Sequence, residues 1–360
     1  MASFNIEHVD EGFNRARIKV VGTGGAGGNA VNTMISKGLK EVEFVALNTD
    51  FQDLSKSLAP TRLQIGEGIS RGLGSGGNPQ LAKEAAMEDR DKIGDILEGA
   101  DMVFITAGMG GGTGTGASPI IAQACKDKDI LTVAIVTKPF EFEGVARREN
   151  AHYGIEELDK YVDTLIVIPN DKLAAIHKVS ILDAFRQADE VLYQAVKGIS
   201  DIVTGTGYIN VDFADVKSIM ANHGGKALMS SGFAQGPNRA TQAAQMAITS
   251  PLLEDVSIAG AKGILINVTA SEDFGIEELD EACRHVRERA NGDIDLIFGL
   301  VFDEKAKDFV RITVVATGIE NYIDKRATDI ISEQPYTAEE IEEDLDIPTF
   351  VRKRERIAAR

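Results

Sequence analysis

The chain is 360 residues long, more than one ordinary domain, and 43% of it is hydrophobic, enough to fill two cores. Its 56 acidic residues outnumber 38 basic ones for a net charge of -18, which excludes the non-specific grip on DNA or RNA that clustered Lys and Arg provide. No apolar run reaches the roughly 18 residues that span a bilayer, and the opening MASFNIEHVDEGF carries acids where a secretory leader carries bases, so the chain reads as cytoplasmic with no transmembrane segment.

In chain order, residues 1–16 are polar and aperiodic and predict a disordered extension. A short apolar run at 18–21 then enters a glycine cluster, as a buried parallel strand does. Strand-like runs recur at 42–47, 102–106, 131–136 and 164–168, separated by stretches of helical period such as 79–97; this alternation predicts a parallel α/β sheet over residues 17–178. Over 179–205, Leu182, Phe185, Val191, Leu192, Ala195, Ile199 and Ile202 recur at helical spacing behind Ser180 and Asp183 in capping-box positions, which predicts one long, largely buried helix. Residues 206–318 alternate again, with strands expected at 263–269, 294–301 and 310–316, and form a second, smaller domain. Cys125 and Cys283 lie far apart without CxxC spacing and predict buried thiols, not a disulfide or a zinc site.

After residue 318 the period stops. Residues 333–346 hold seven acidic residues and no basic one, so 319–343 reads as a solvated linker. The end, 344–360, is DLDIPTFVRKRERIAAR, an apolar centre between acid and base that reads as a docking peptide.

The chemistry concentrates in glycine loops. GTGGAGGN at 22–29 follows a strand and opens a helix, so Gly24, Gly25, Ala26, Gly27, Gly28 and Asn29 offer backbone amides and a helix N-terminus to phosphate. Alone, this loop also satisfies the dinucleotide fingerprint, with Gly22, Gly24 and Gly27 in register and Asp50 placed as a ribose-binding acid, so a Rossmann-type NAD oxidoreductase is a rival reading. A second loop, GGGTGTG at 110–116, again stands between strand and helix, with the Thr113 and Thr115 hydroxyls as added donors. A third, GLGSGGNP at 72–79, suits the far end of a phosphate chain. Three such clusters at strand ends of one sheet point to a triphosphate. With no GxxxxGKS or GxxxxGKT anywhere, amides and a bound cation must neutralise it.

The second loop is the signature of the tubulin superfamily, and NTD at 48–50, TKPFEFEG at 137–144, IPNDKL at 168–173, NVDFADV at 210–216, SPLLED at 250–255 and TVVATG at 313–318 all resemble the FtsZ family, in its order. The likeness covers residues 17–318. It implies a tubulin-like GTPase domain with a parallel sheet, a long central helix and a smaller α+β domain, in a cell-division protein that polymerises beneath the inner membrane at the bacterial division site. It implies GTP and GDP as ligands with magnesium, potassium being left open, and no direct protein ligand for the metal. Gly25 to Asn29 and Gly112 to Gly114 would bind the phosphates, while Glu143 and Arg147 face the ribose. Phe185 would stack on guanine, and Asp189, one helical turn on, would accept from its N1 and N2 groups, which adenine cannot supply. The wider nucleotide-contacting set takes in Gly24, Asp50, Gly76, Gly110, Gly111, Thr115, Thr137, Pro139 and Asn170.

Asp212 and Asp215 stand three residues apart on an opening helical turn, which by itself reads as helix capping. The resemblance instead makes Asn210, Asp212 and Asp215 the groups that place the attacking water. The guanine contacts lie early on the long helix and the acids lie beyond its end, so the acids are expected to meet the nucleotide of a neighbouring copy, giving a heterologous contact that builds a filament. The tail resembles the peptide by which the family docks membrane-tethering division proteins such as FtsA or ZipA, through Asp346, Ile347, Pro348, Phe350 and Arg352. Besides the oxidoreductase, a second rival is an FtsZ-like protein that binds GTP without hydrolysing it and serves as a scaffold.

Overall fold

The computed structural model describes residues 16–174, 180–204, 208–209, 211–222, 225–250, 252, 258, 260–290, 294–303 and 306–319. All of these belong to one compact unit, Met1–Glu320. The first half runs β1 (Ile18–Thr23), α1 (Gly24–Ser36), β2 (Glu43–Asn48), α2 (Phe51–Ser55), β3 (Thr61–Gln64), α3 (Glu67–Ser70), α4 (Pro79–Glu88), α5 (Arg90–Leu97), β4 (Met102–Gly108), α6 (Thr113–Lys126), β5 (Leu131–Lys138), α7 (Val145–Asp159), β6 (Thr164–Pro169) and α8 (Asn170–Ala174). The long helix α9 (Ile181–Val203) leads to α10 (Phe213–Lys217), β7 (Gly225–Gln235), α11 (Arg239–Ile248), β8 (Gly263–Ala270), α12 (Ile276–Ala290), β9 (Asp295–Phe302) and β10 (Phe309–Thr317).

The ten strands form one sheet in the order β3-β2-β1-β4-β5-β6-β7-β10-β8-β9. It is parallel from β3 through β7; β10 pairs antiparallel with β7 and β8, and β9 is parallel to β8. Strand side chains alternate between the two faces, so neighbours in sequence enter different cores. Val20, Phe104, Ile135 and Ile166 meet α1 and α9, while Val21, Ile105, Val136 and Val167 meet the face covered by α6. The α9 core also takes in Ala227, Met229, Leu265 and Val315, so it extends without a break into the second half. These two clusters of buried side chains lie on opposite faces of the sheet.

Ser180 caps α9: its hydroxyl accepts from the Asp183 amide at 3.2 Å and donates to the Asp183 carboxylate at 2.6 Å. The helix is not buried throughout. Residues 192–203 are nearly all buried except Gln194 and Lys197, whereas Ile181, Leu182 and Phe185 are exposed, because the first turns project past the sheet edge where the glycine loops lie. The period at 79–97 resolves into two helices. Asp89 breaks it by turning its carboxylate inward to the Gly66 amide, 2.7 Å away, and to Lys92 at 2.6 Å.

Candidate functional site

Strands β1 and β4 are neighbours in register, Gly22 beside Thr106 and Thr23 beside Ala107, yet the helices that follow them leave for opposite faces of the sheet. A crevice opens at such a switch point, outside the carboxyl ends of the strands, with two helix N-termini aimed into it.

The glycines sort by what a Cβ would meet. At Gly27 it would stand 2.3 Å from the Thr106 carbonyl oxygen, at Gly114 2.6 Å from that of Gly108, and at Gly108 2.6 Å from the Ala26 methyl. These residues let loop lie directly on strand. Gly24, at φ 71°, brings the two loops together: a Cβ there would meet the Gly114 amide nitrogen at 2.9 Å. At Gly28, Gly111 and Gly76 a Cβ would meet nothing within 4 Å, so that side of each residue faces open space. A shallow pocket lined by Gly24, Gly25, Gly28, Asn29, Asn48, Asp53 and Lys56 adjoins the first loop.

Hydroxyls knit the loops together. Thr113 lies 2.7 Å from Thr49 and 3.1 Å from Ser75, oxygen to oxygen, and Gly112 leaves the space Ser75 needs. Thr115 departs from expectation: its buried hydroxyl accepts from the Gly110 amide at 2.9 Å, turned into the loop instead of the crevice. Asn150 donates to the carbonyls of Gly77 (3.2 Å) and Gly110 (3.4 Å), binding second loop to third. Thr137 accepts from Met109 through its carbonyl at 2.9 Å, and Pro139 backs Gly110. Asp50 caps α2 through Oδ1, which accepts from Gln52 at 2.9 Å and Asp53 at 3.2 Å. Thr49, Ser75 and Asn150 were not singled out from sequence, although the first two lie inside the NTD and GLGSGGNP motifs.

Further along the same edge, Glu143 accepts from the Phe140 amide at 2.9 Å and forms an ion pair with Arg147 one helical turn away. Asn170, at the end of β6, is buried with its side-chain oxygen unpartnered. Phe185 meets the edge of buried Phe140 at 5.3 Å and remains 42% exposed, which leaves ring surface for a ligand. Asp189 is half-buried, no donor reaches its carboxylate among the described residues, and burial pushes its pKa up to about 6.

The acids lie elsewhere. Thr164, which begins β6, pairs with Gly225, which begins β7, so α9 crosses from the carboxyl to the amino edge of the sheet and α10 lies at the amino edge. With strands of six to eight residues, the two edges are ~20 Å apart at about 3.3 Å per residue. Asp212 occupies the N-cap position of α10 but its side chain caps nothing, and both it and Asp215 are exposed. The capping alternative for Asp212 is thereby removed. The chain reaches them from Tyr208 and Ile209, whose amides donate to the Leu300 carbonyl at 2.7 and 3.2 Å. Asn210 and the docking residues at 346–352 lie outside the described residues.

Comparison with known proteins agrees with this geometry. The model of the tubulin/FtsZ family GTPase domain matches residues 17–178, and that of the FtsZ family C-terminal domain matches 225–320. Among solved structures, an FtsZ dimer from M. jannaschii, described as empty, is 45% identical, with 86% of this chain and 90% of that one covered at a TM-score of 0.83. CetZ2 from Haloferax volcanii, solved as a GTPγS-bound protofilament, is 20% identical at TM-score 0.74, covering 88% and 98%. CetZ1 from the same organism, a GDP-bound monomer, is 21% identical at TM-score 0.76 with the same coverage; these last two are similar in fold.

Proposed function

The chain belongs to the tubulin/FtsZ family of GTPases, and from that premise we propose that it binds GTP in the crevice, assembles head to tail, and hydrolyses the nucleotide where one subunit's acids meet the crevice of the next. One observation carries the reading: the glycine loops and the exposed acids occupy opposite edges of one sheet, ~20 Å apart, so no single chain can bring them together. The first amides of α1 and α6, with the third glycine loop beside them, hold the phosphates. Phe185 stacks on the base and Glu143 with Arg147 borders the ribose. The unpartnered carboxylate of Asp189 accepts from guanine N1 and N2, which selects GTP over ATP. Asn210, Asp212 and Asp215 of the next subunit hold a water in line with the γ-phosphate. Departure of that phosphate removes contacts at the interface and weakens it.

The hydroxyls of Thr49, Ser75 and Thr113 are buried and bonded to one another, and the described residues hold no cluster of acidic or imidazole metal ligands. A magnesium ion here would be carried in on the phosphates with most of its waters retained. When bound, the ion spreads the charge of the phosphate oxygens. A role for potassium is read by comparing turnover in potassium and sodium buffers.

No helix among the described residues is long and apolar enough to cross a membrane. The peptide Asp346, Ile347, Pro348, Phe350 and Arg352 is proposed to dock a membrane-tethered division protein of the FtsA or ZipA kind, holding cytoplasmic filaments at the division site. The 45% identical FtsZ is from M. jannaschii, an archaeon, so the proposal is not restricted to bacteria. The test is GTP turnover against protein concentration with light scattering in parallel. A rate per molecule that rises at the concentration where scattering begins supports the between-subunit site; a concentration-independent rate removes it.

A further inference from the structure

Thr113, the first residue of α6, has two hydroxyl partners: Thr49 at the end of β2, at 2.7 Å, and Ser75 in the third glycine loop, at 3.1 Å. Thr49 is fully buried and Ser75 nearly so, and neither hydroxyl has another partner among the described residues. The backbone adds to the clamp: the Gly74 amide donates to the Thr49 carbonyl at 3.2 Å, and Ser75 fills the space a Cβ on Gly112 would take, 2.1 Å away.

Each hydroxyl has one proton to give and two lone pairs to receive. A buried proton without an acceptor is costly, so Thr49 and Ser75 both donate to Thr113. With both of its acceptor positions filled, Thr113 cannot give its own proton to either neighbour, and it is the first residue of α6, at the helix N-terminus that borders the crevice. Accepting two hydrogen bonds also polarises its hydroxyl and strengthens what it donates. We propose that Thr49 and Ser75 are positioning residues that make Thr113 an obligate hydrogen-bond donor to a phosphate oxygen of the bound nucleotide, and that the Ser75 bond carries the third glycine loop to the same phosphate chain. The inference rests on the nucleotide reading above.

The test uses the full chain and seven variants: Thr49→Val, Ser75→Ala, Thr113→Val, the last combined with each of the first two, and the conservative Thr49→Ser and Ser75→Thr. Affinities for GDP and GTP are measured by competition with a fluorescent guanine nucleotide, with the thermal midpoint of nucleotide-free protein recorded alongside. Thr49→Val and Ser75→Ala are each expected to weaken binding about tenfold, as loss of a charge-assisted hydrogen bond does. The nucleotide-free midpoint of Ser75→Ala stays near the parent's, and Thr49→Ser and Ser75→Thr keep the parent affinity. In the Thr113→Val background the same two changes cost nothing further. Parent-like binding by Ser75→Ala, or an undiminished loss when it is added to Thr113→Val, overturns the proposal. Should Thr49→Val fail to fold, the Ser75 pair decides alone. A parent without affinity for guanine nucleotide removes the nucleotide reading and this inference with it, whereas a parent that binds while the variants behave identically removes the inference alone.

Discussion

At the carboxyl ends of β1, β4 and β5 most polar groups are engaged by their own chain: Thr115 holds Gly110, Thr113 meets Thr49 and Ser75, Asn150 spans two loops, and Asp50 caps α2. At the amino edge Asp212 and Asp215 are exposed, with no donor to their carboxylates among the described residues. The first edge is organised before a ligand arrives; the second, on the function proposed above, waits for a neighbouring copy. Binding and hydrolysis should therefore separate cleanly by mutation.

The largest break expected is Asp212→Ala, which should lower GTP turnover by roughly 10²- to 10⁴-fold while GTP affinity stays within about twofold. Mixing it with Asp189→Ala sharpens the point. At GTP concentrations too low to fill the weakened crevice each variant alone should turn over little, and the mixture should recover turnover, because an intact crevice can meet intact acids; a mixture as slow as its parts would place the whole site in one subunit.

Next is Asp189→Asn, which removes a charged acceptor and should weaken guanine nucleotide binding roughly 30- to 150-fold, equivalent to ~2–3 kcal/mol. The pH dependence follows. Burial raises the folded-state pKa of Asp189 above its unfolded value, so between about 4 and about 6 the folded chain holds the extra proton and nucleotide-free stability falls as pH rises through that window. Guanine needs the ionised form, so affinity should fall about tenfold per unit as pH drops below about 6. Asp189→Asn should flatten both profiles, read by thermal midpoint and by competition binding.

A smaller effect separates glycines that shape the fold from those that face the ligand. Gly111→Ala places a methyl in open space and should weaken nucleotide binding roughly tenfold with an unchanged nucleotide-free midpoint. Gly27→Ala drives a methyl onto the Thr106 carbonyl and should cost ~1–3 kcal/mol of fold stability in denaturant titration. The smallest is Asp50→Ala, with the loss of a helix cap worth ~1 kcal/mol and GTP affinity kept within about twofold. A large affinity loss there would return Asp50 to the ligand.

Eight of the ten strands are legible in sequence because each is a dense apolar run bounded by turn residues. The two missed ones lack that signal for different reasons. TRLQ of β3 is four residues at a sheet edge, and GKALMSSGFAQ of β7 is built of small residues because α11 lies so close that a Cβ on Gly232 would stand 2.1 Å from the Ala243 carbonyl oxygen. In the crevice, motif spacing located the loops, and the family resemblance supplied Phe185 and Asp189. The inward turn of Thr115, the Glu143–Arg147 ion pair and the three-hydroxyl cluster were not legible, since each depends on rotamers and on contacts between segments far apart in sequence. The exposure of Phe185 inverted its apolar period: helical spacing identifies a face but not what covers it.

The continuous sheet has a mechanical consequence. If subunits join through the two strand edges, the filament axis follows the strand direction, and α9, 23 residues and ~35 Å long, runs beside it from one joint to the other. Tension applied to such a filament travels along covalent strand backbones and loads the lateral hydrogen bonds in shear, all together, instead of unzipping them one by one. The subunit should then be stiffer than its joints, and a stretched filament should yield first at a nucleotide contact.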